Sequence, residues 1–274
     1  MAEMNNLLEK NMSKIMNSFQ DITYSQKRIC IMPCNSLIGS SLVDSIRNDH
    51  ENENPHIITG ILDPNEDCQD PPLGLSVLVT DHNKENLMVL FSDCDILIIE
   101  LLKVDFGLLE FLLWKLEEGD IDSQTHILII SSPLLWSENS SNLGTAISQR
   151  RTVSPRTENH GTLSENDHFS GNLFGESDFF NRKCLPCFEL LRLWENKFLE
   201  LEGKLPNIKP VILVPGIIYG RGEDDFYSLF QDLLGCEETI SVYGKGNNLL
   251  PLCHISDLSA CVKVTFYFLL FLIF

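Results

Sequence analysis

Apolar residues along this chain gather in short unbroken runs. RICIM, HIITGIL, LSVLV, CDILIIEL, THILIIS and KPVILVPG are each rich in Ile, Leu and Val and flanked by polar turns. Strands buried on both faces read this way, because neither face carries the polar residues that alternate along a half-exposed strand. Between the runs, LIGSSLVDSIRND, NKENLMVLFSD and DFGLLEFLLWKLEEGD place apolar residues at spacings of three and four, the period of one helix face. Strand and helix alternate, so the pattern predicts an α/β fold built on a doubly wound parallel sheet.

Three stretches depart from that pattern. Residues 1–27 form a polar leader of helical composition. Residues 28–136 and 183–263 carry the two parts of a Rossmann-like domain, and residues 137–182 between them are rich in Ser, Asn, Thr and Gly. So long a stretch with so few apolar residues predicts a flexible, disordered insertion, since it has little surface to bury against the loss of chain entropy. Within it, Arg150-Arg151-Thr152-Val153-Ser154-Pro155 offers Ser154 to a basophilic or proline-directed kinase, or is an ordinary solvated loop. Residues 264–274, VTFYFLLFLIF, are apolar without strand or helix periodicity and fall short of the roughly 20 residues that span a bilayer. They are expected to mark a truncation in which foreign sequence replaces the true continuation.

Charge narrows the partners. With 20 Lys and Arg against 39 Asp and Glu, the formal net charge is −19, which repels phosphodiester backbones and anionic lipid heads. Neither nucleic acid nor a membrane surface is expected to bind. The nine cysteines lack the spacing of a small disulfide framework, and MAEMNNLLEKNMSK has no apolar secretory core, so a reducing cytoplasmic setting is expected.

The first strand runs into Pro33-Cys34-Asn35-Ser36 and then a helix containing Gly39. A dinucleotide site uses three glycines here: one for the tight turn, one for backbone approach to the pyrophosphate, and one for helix-strand packing. Only the third, Gly39, is present. Pro33 lacks an N–H at the first position, and Ser36 puts a side chain at the second, where the pyrophosphate would lie. Asp63, near the end of the second strand, stands where an acidic residue would hold a ribose hydroxyl, or is a turn former before Pro64. Little or no NAD(P) binding is expected, with Ser36, Gly39 and Asp63 as degenerate remnants of a site.

ILIISSPLLW, VILVPGIIYGRGED and YGKGNNLLPLCHISDLSACV resemble, in order over residues 28–263, segments of the extended short-chain dehydrogenases, the NAD-dependent epimerase/dehydratase family. CDILIIEL, GIIYGRGEDDFYSLFQDLLG and VYGKGNNLLPLCHISDLSACV are also similar to the N-terminal region of the adenylate kinase 7 family, where a degenerate dehydrogenase-like domain precedes the kinase. The resemblance implies a Rossmann-like fold, Ser132 as a vestigial catalytic serine, and Gly216 and Tyr219 near a ligand crevice. His254 and Asp257 match an H-x-x-D pair that caps or orients a late helix. It also implies a parent protein that makes ADP from AMP and ATP, protein partners in the axoneme, and a place in cilia or flagella.

Chemistry in the dehydrogenase family needs a Tyr acidified by a Lys four residues on. Those positions fall at Cys187 and Leu191, and no Tyr occurs between Lys183 and Lys197. VYGKGNN has the Gly-Lys pair of a phosphate loop, but no glycine stands five residues before Gly244 and no Ser or Thr follows Lys245. The sequence therefore reads as a catalytically degenerate scaffold or docking domain. An active NAD(P)-dependent reductase or epimerase with an unusual loop is the alternative. A dithiol oxidoreductase through Cys184-Leu185-Pro186-Cys187 is a second one, and no metal site is expected.

Overall fold

The computed structural model describes residues 26–48, 55–63, 71–80, 84–118, 124–137, 150–153, 176–222, 226–235, 240–243 and 250–271. The chain divides into two compact units, one made of residues 1–131, 197–213 and 254–274, the other of residues 132–196 and 214–253.

The larger unit is built on a six-stranded parallel sheet. Its strands are β1 (Arg28–Met32), β2 (Ile57–Ile61), β3 (Val77–Val79), β4 (Ile96–Glu100), β5 (Thr125–Ile130) and β7 (Ile208–Leu213), in the order β3-β2-β1-β4-β5-β7. All five pairings are parallel, with Ile29 opposite Ile58 and Ile96, and Ile98 opposite Leu128. This is the doubly wound Rossmann-like order that the apolar runs predict. Ile29, Ile31, Ile96, Ile98, Ile127 and Ile129 are all almost fully buried, which explains runs with no polar alternation. Each such side chain contributes about 1.5–3 kcal/mol by leaving water.

Helices α1 (Leu37–Arg47), α2 (Lys84–Ser92) and α3 (Phe106–Glu118) follow β1, β3 and β4. α1 buries Ile38, Leu42, Val43 and Ile46 at helical spacing. It meets the last helix, α6 (Ile255–Phe271), where the buried hydroxyls of Ser41 and Ser259 lie 3.1 Å apart. α6 carries the apolar tail as far as Phe271. The segment read as aperiodic thus continues a helix, and Phe266 within it is buried with its ring edge-on to His56, centroids 5.3 Å apart. No helix among the described residues is long and apolar enough to cross a membrane.

The smaller unit holds β6 (Arg150–Val153) paired antiparallel with β9 (Ile240–Tyr243), along with β8 (Ile217–Tyr219) and α5 (Tyr227–Leu234). β8 pairs with β10 (Leu252–His254). α4 (Glu189–Lys204) begins here and runs on into the larger unit. β6 lies inside the stretch read as a disordered insertion. Residues 138–149 and 154–175 of that stretch, with Ser154, lie outside the described residues, as does the leader up to residue 25. At the far end of the stretch, Glu176–Asn181 forms a 3-10 turn, and Arg182 is buried in an ion pair with the buried Glu195 of α4. The Arg182 guanidinium also lies 3.6 Å from the centre of the Phe179 ring. A charge this deep is tolerated only with its partner in place. Arg182→Ala is therefore expected to destabilise the protein by about 3–5 kcal/mol in denaturant unfolding, because it strands the Glu195 carboxylate, while an Arg182→Met/Glu195→Leu double substitution costs far less.

His126 of β5 is a different kind of buried polar group. It is nearly inaccessible, and neither ring nitrogen finds a hydrogen-bond partner among the described residues. Burial lowers its pKa from the ordinary 6.5, helped by the positive charges of Lys27 and Lys209 and opposed by Asp95. The unfolded chain thus takes up a proton near pH 6.5 that the folded chain refuses until lower pH. Its contribution to stability is complete above 6.5 and is lost as pH falls toward the lower folded value. His126→Leu is expected to flatten the stability profile between neutral and mildly acidic pH, read as unfolding midpoints across that range.

Candidate functional site

In a doubly wound sheet, ligands bind outside the carboxyl ends of the strands, where neighbouring strands send their helices to opposite faces. In this sheet order that point lies between β1 and β4. The chain leaves β1 at Met32 and reaches α1 through Pro33–Ser36. Ser36 is the N-cap: its backbone is extended, and its Oγ accepts from the Gly39 N–H at 2.9 Å. Gly39 is fixed by close approach, since a Cβ there would lie 2.1 Å from the Pro33 carbonyl oxygen and 2.9 Å from the Cα of Cys34. This is the helix-strand packing role of the third glycine.

The rest of the loop is tied down by its own side chains. The Cys34 N–H donates to the Ile61 carbonyl at 2.9 Å, and the Cys34 side chain is completely buried against β2, where a Cβ on Gly60 would come 2.7 Å from its sulfur. The Asn35 amide bridges to the end of β2 twice, donating to the Asp63 carbonyl and accepting from the Asp63 N–H, both at 2.9 Å. On the other side, the Ser36 hydroxyl donates to Oε2 of Glu100, the last residue of β4, at 2.5 Å. That bond crosses the switch point itself. A half-buried carboxylate thus sits beside the amino terminus of α1, where a dinucleotide would place its pyrophosphate. The residues present do not fit an orthodox dinucleotide: the turn lacks a donor at Pro33, Ser36 fills the second glycine position, and Glu100 adds like charge.

Ser36, Gly39 and Asp63 therefore come together in one unit, although Asp63 meets the loop through its backbone. Asn35 and Glu100 escaped the sequence reading. The one usable signal for Glu100 was a charged residue closing an otherwise apolar buried strand. Ser132, Gly216 and Tyr219 belong to the smaller unit. There the Ser132 hydroxyl oxygen accepts from the Leu134 N–H at 3.2 Å and caps the short 3-10 turn Pro133–Trp136. Gly216 lies against Pro251, whose carbonyl oxygen would be 2.3 Å from an added Cβ, and Tyr219 ends β8 half-exposed. Cys187 and Leu191 occupy the expected Tyr and Lys positions, the first exposed and the second buried, so the smaller unit offers no proton-transfer pair there. In the larger unit, His254 Nδ1 accepts from the Ser256 N–H at 3.2 Å and Asp257 lies in the first turn of α6, a capping arrangement. No group of three metal-ligating side chains occurs among the described residues.

No protein-family model matches the chain. No curated protein matches it either. Solved structures do resemble it in fold. The UDP-N-acetylglucosamine 4-epimerase from Bacillus cereus superposes with a TM-score of 0.52 at 14% identity, covering 87% of this chain and 70% of that one. An NAD-dependent NDP-hexosamine 5,6-dehydratase, TunA, involved in tunicamycin biosynthesis, gives 0.54 at 13% identity over 88% and 72%. The protein gox2253 gives 0.51 at 13% identity over 88% and 66%. The fold is thus the Rossmann-like one of NAD-dependent epimerases and dehydratases, and the structural likeness extends no further than fold.

The dithiol reading meets a physical obstacle. A thioredoxin-like first cysteine needs its thiolate favoured. Cys184 is buried, and burial, with the negative charge of Glu189, raises its pKa above the ordinary 9.0. Burial likewise pushes the Cys34 thiol up to about 11 and Cys94 to about 12, and holds Cys30 well above its usual range. Among the described cysteines, Cys187 and Cys261 are exposed, Cys253 is half-buried, and Cys30, Cys34, Cys94 and Cys184 are buried. A thiol-specific reagent at neutral pH, followed by mass mapping, is expected to modify Cys187 and Cys261 in the folded protein. Cys30, Cys34, Cys94 and Cys184 should react only on unfolding. Rapid modification of Cys184 in the native protein would restore the dithiol reading.

Proposed function

We propose that this chain is a catalytically degenerate dinucleotide-fold domain that serves as a scaffold or docking module. The observation that carries the reading is the Ser36–Glu100 hydrogen bond across the switch point, with Cys34 and Asn35 folded onto β2 beside it. Cys187 and Leu191 at the Tyr and Lys positions support it from the smaller unit, since oxidation or epimerisation in this fold needs both proton-transfer groups. The resemblance of CDILIIEL, GIIYGRGEDDFYSLFQDLLG and VYGKGNNLLPLCHISDLSACV to the adenylate kinase 7 family supports a finer reading. In it, this domain stands ahead of a phosphotransferase domain and docks to protein partners in a cilium or flagellum. That finer reading rests on those three segments alone. A working reductase or epimerase is the competing reading, and it draws support from the fold shared with NAD-dependent enzymes.

Isothermal calorimetry with NAD+, NADH, NADP+ and NADPH separates the two. The closed crevice is expected to give no saturable binding tighter than about 1 mM, a free energy of only about −4 kcal/mol. Submicromolar affinity for any of the four would overturn the proposal and favour the reductase or epimerase.

A further inference from the structure

Glu100 is an ionisable, half-buried group at the carboxyl end of a parallel strand that is otherwise apolar. Its backbone is held independently of its side chain: it pairs with Ile130 across β4 and β5, and its carbonyl accepts from the Lys103 and Val104 N–H groups at 3.1 Å. The loop it meets is fixed independently too, by the Asn35 bridge to Asp63, by the Cys34–Ile61 bond and by the packing of Gly39 on Pro33. The side chain of Glu100 spans the gap, and its Oε2 meets a buried serine hydroxyl that is itself bonded to the first turn of α1.

We infer that the Glu100 carboxylate is a built-in anionic plug, a tethered stand-in for the diphosphate of a nucleotide, and that it opposes the binding of pyrophosphate-bearing nucleotides at the start of α1. A helix amino terminus favours an anion, through free N–H groups and the aligned peptide dipoles. Here the anion is supplied from within the chain at no cost in association entropy, so an external diphosphate must displace it and also overcome its like charge. Ser36 is the positioning residue. Its hydroxyl accepts from Gly39 and spends its proton on Glu100, which ties the orientation of the carboxylate to the helix cap. The inference rests on the degenerate-domain reading above and adds to it the residue that does the excluding.

The test uses the full chain, with NADH and ADP as probes in calorimetry, and compares wild type with Glu100→Gln, Glu100→Ala and Ser36→Gly. Glu100→Gln keeps the size and the hydrogen bond to Ser36 but removes the charge. Glu100→Ala removes both. Ser36→Gly frees the carboxylate while leaving a well-tolerated N-cap. Glu100→Ala is expected to bind both probes at least about tenfold more tightly than wild type, from lost charge repulsion and a vacated anion position. Glu100→Gln and Ser36→Gly are expected to gain by smaller factors. Thermal unfolding of each variant establishes that it is folded, and Ser36→Gly carries the test if neither Glu100 variant folds. Weak binding by wild type with no gain in any folded variant overturns the plug and leaves the degenerate-domain reading standing. Tight binding by wild type overturns both.

Discussion

The start of α1 lies directly against the carbonyl of Pro33, an approach so close that no side chain fits at Gly39. Much of the larger unit's architecture around the crevice follows from that contact. It brings the helix axis down onto β1, so that Ile38, Leu42, Val43 and Ile46 reach the core and Ser41 reaches Ser259 of α6. It also sets where the connecting loop must run. Cys34 is turned into the sheet, Asn35 is carried to the end of β2, and Ser36 is left at the helix cap within reach of β4. A substitution that moved this helix by even an ångström would break the packing and the loop contacts together, since both depend on the same backbone approach.

The six strands were legible because each is short, apolar on both faces and bounded by polar turns, a pattern that local sequence states directly. The crevice was legible only in part. Gly39 and Ser36 announce themselves by position in the loop, but the partner of Ser36 lies 64 residues away, and nothing near Glu100 says which strand neighbours it. Asn35 has the same difficulty across 28 residues to Asp63. The tail misled for another reason. An unbroken apolar run has no polar face from which to read a helical period, yet residues up to Phe271 extend a helix whose first turns are plainly amphipathic. Arg150–Val153 was hidden because a strand in a polar stretch shows itself only through its ladder partner, here Ile240–Tyr243.

Where the carboxylate sits explains how the fold tolerates it. A charge in the middle of β4, at Ile98 for example, would be buried on both faces with no water and no partner, and the fold would not survive it cheaply. At Glu100 the strand is ending, the side chain is half-solvated, and a serine hydroxyl is waiting. The carboxyl edge of the sheet is the one place where chemistry can change without disturbing the core, which is why ligands in doubly wound folds are held there. The same freedom lets that edge carry the chain's own polar groups. Cys34 bonds to Ile61, Asn35 to Asp63 and Ser36 to Glu100, and all of these contacts lie at strand ends or in the connecting loop, so the parallel register of the six strands is untouched.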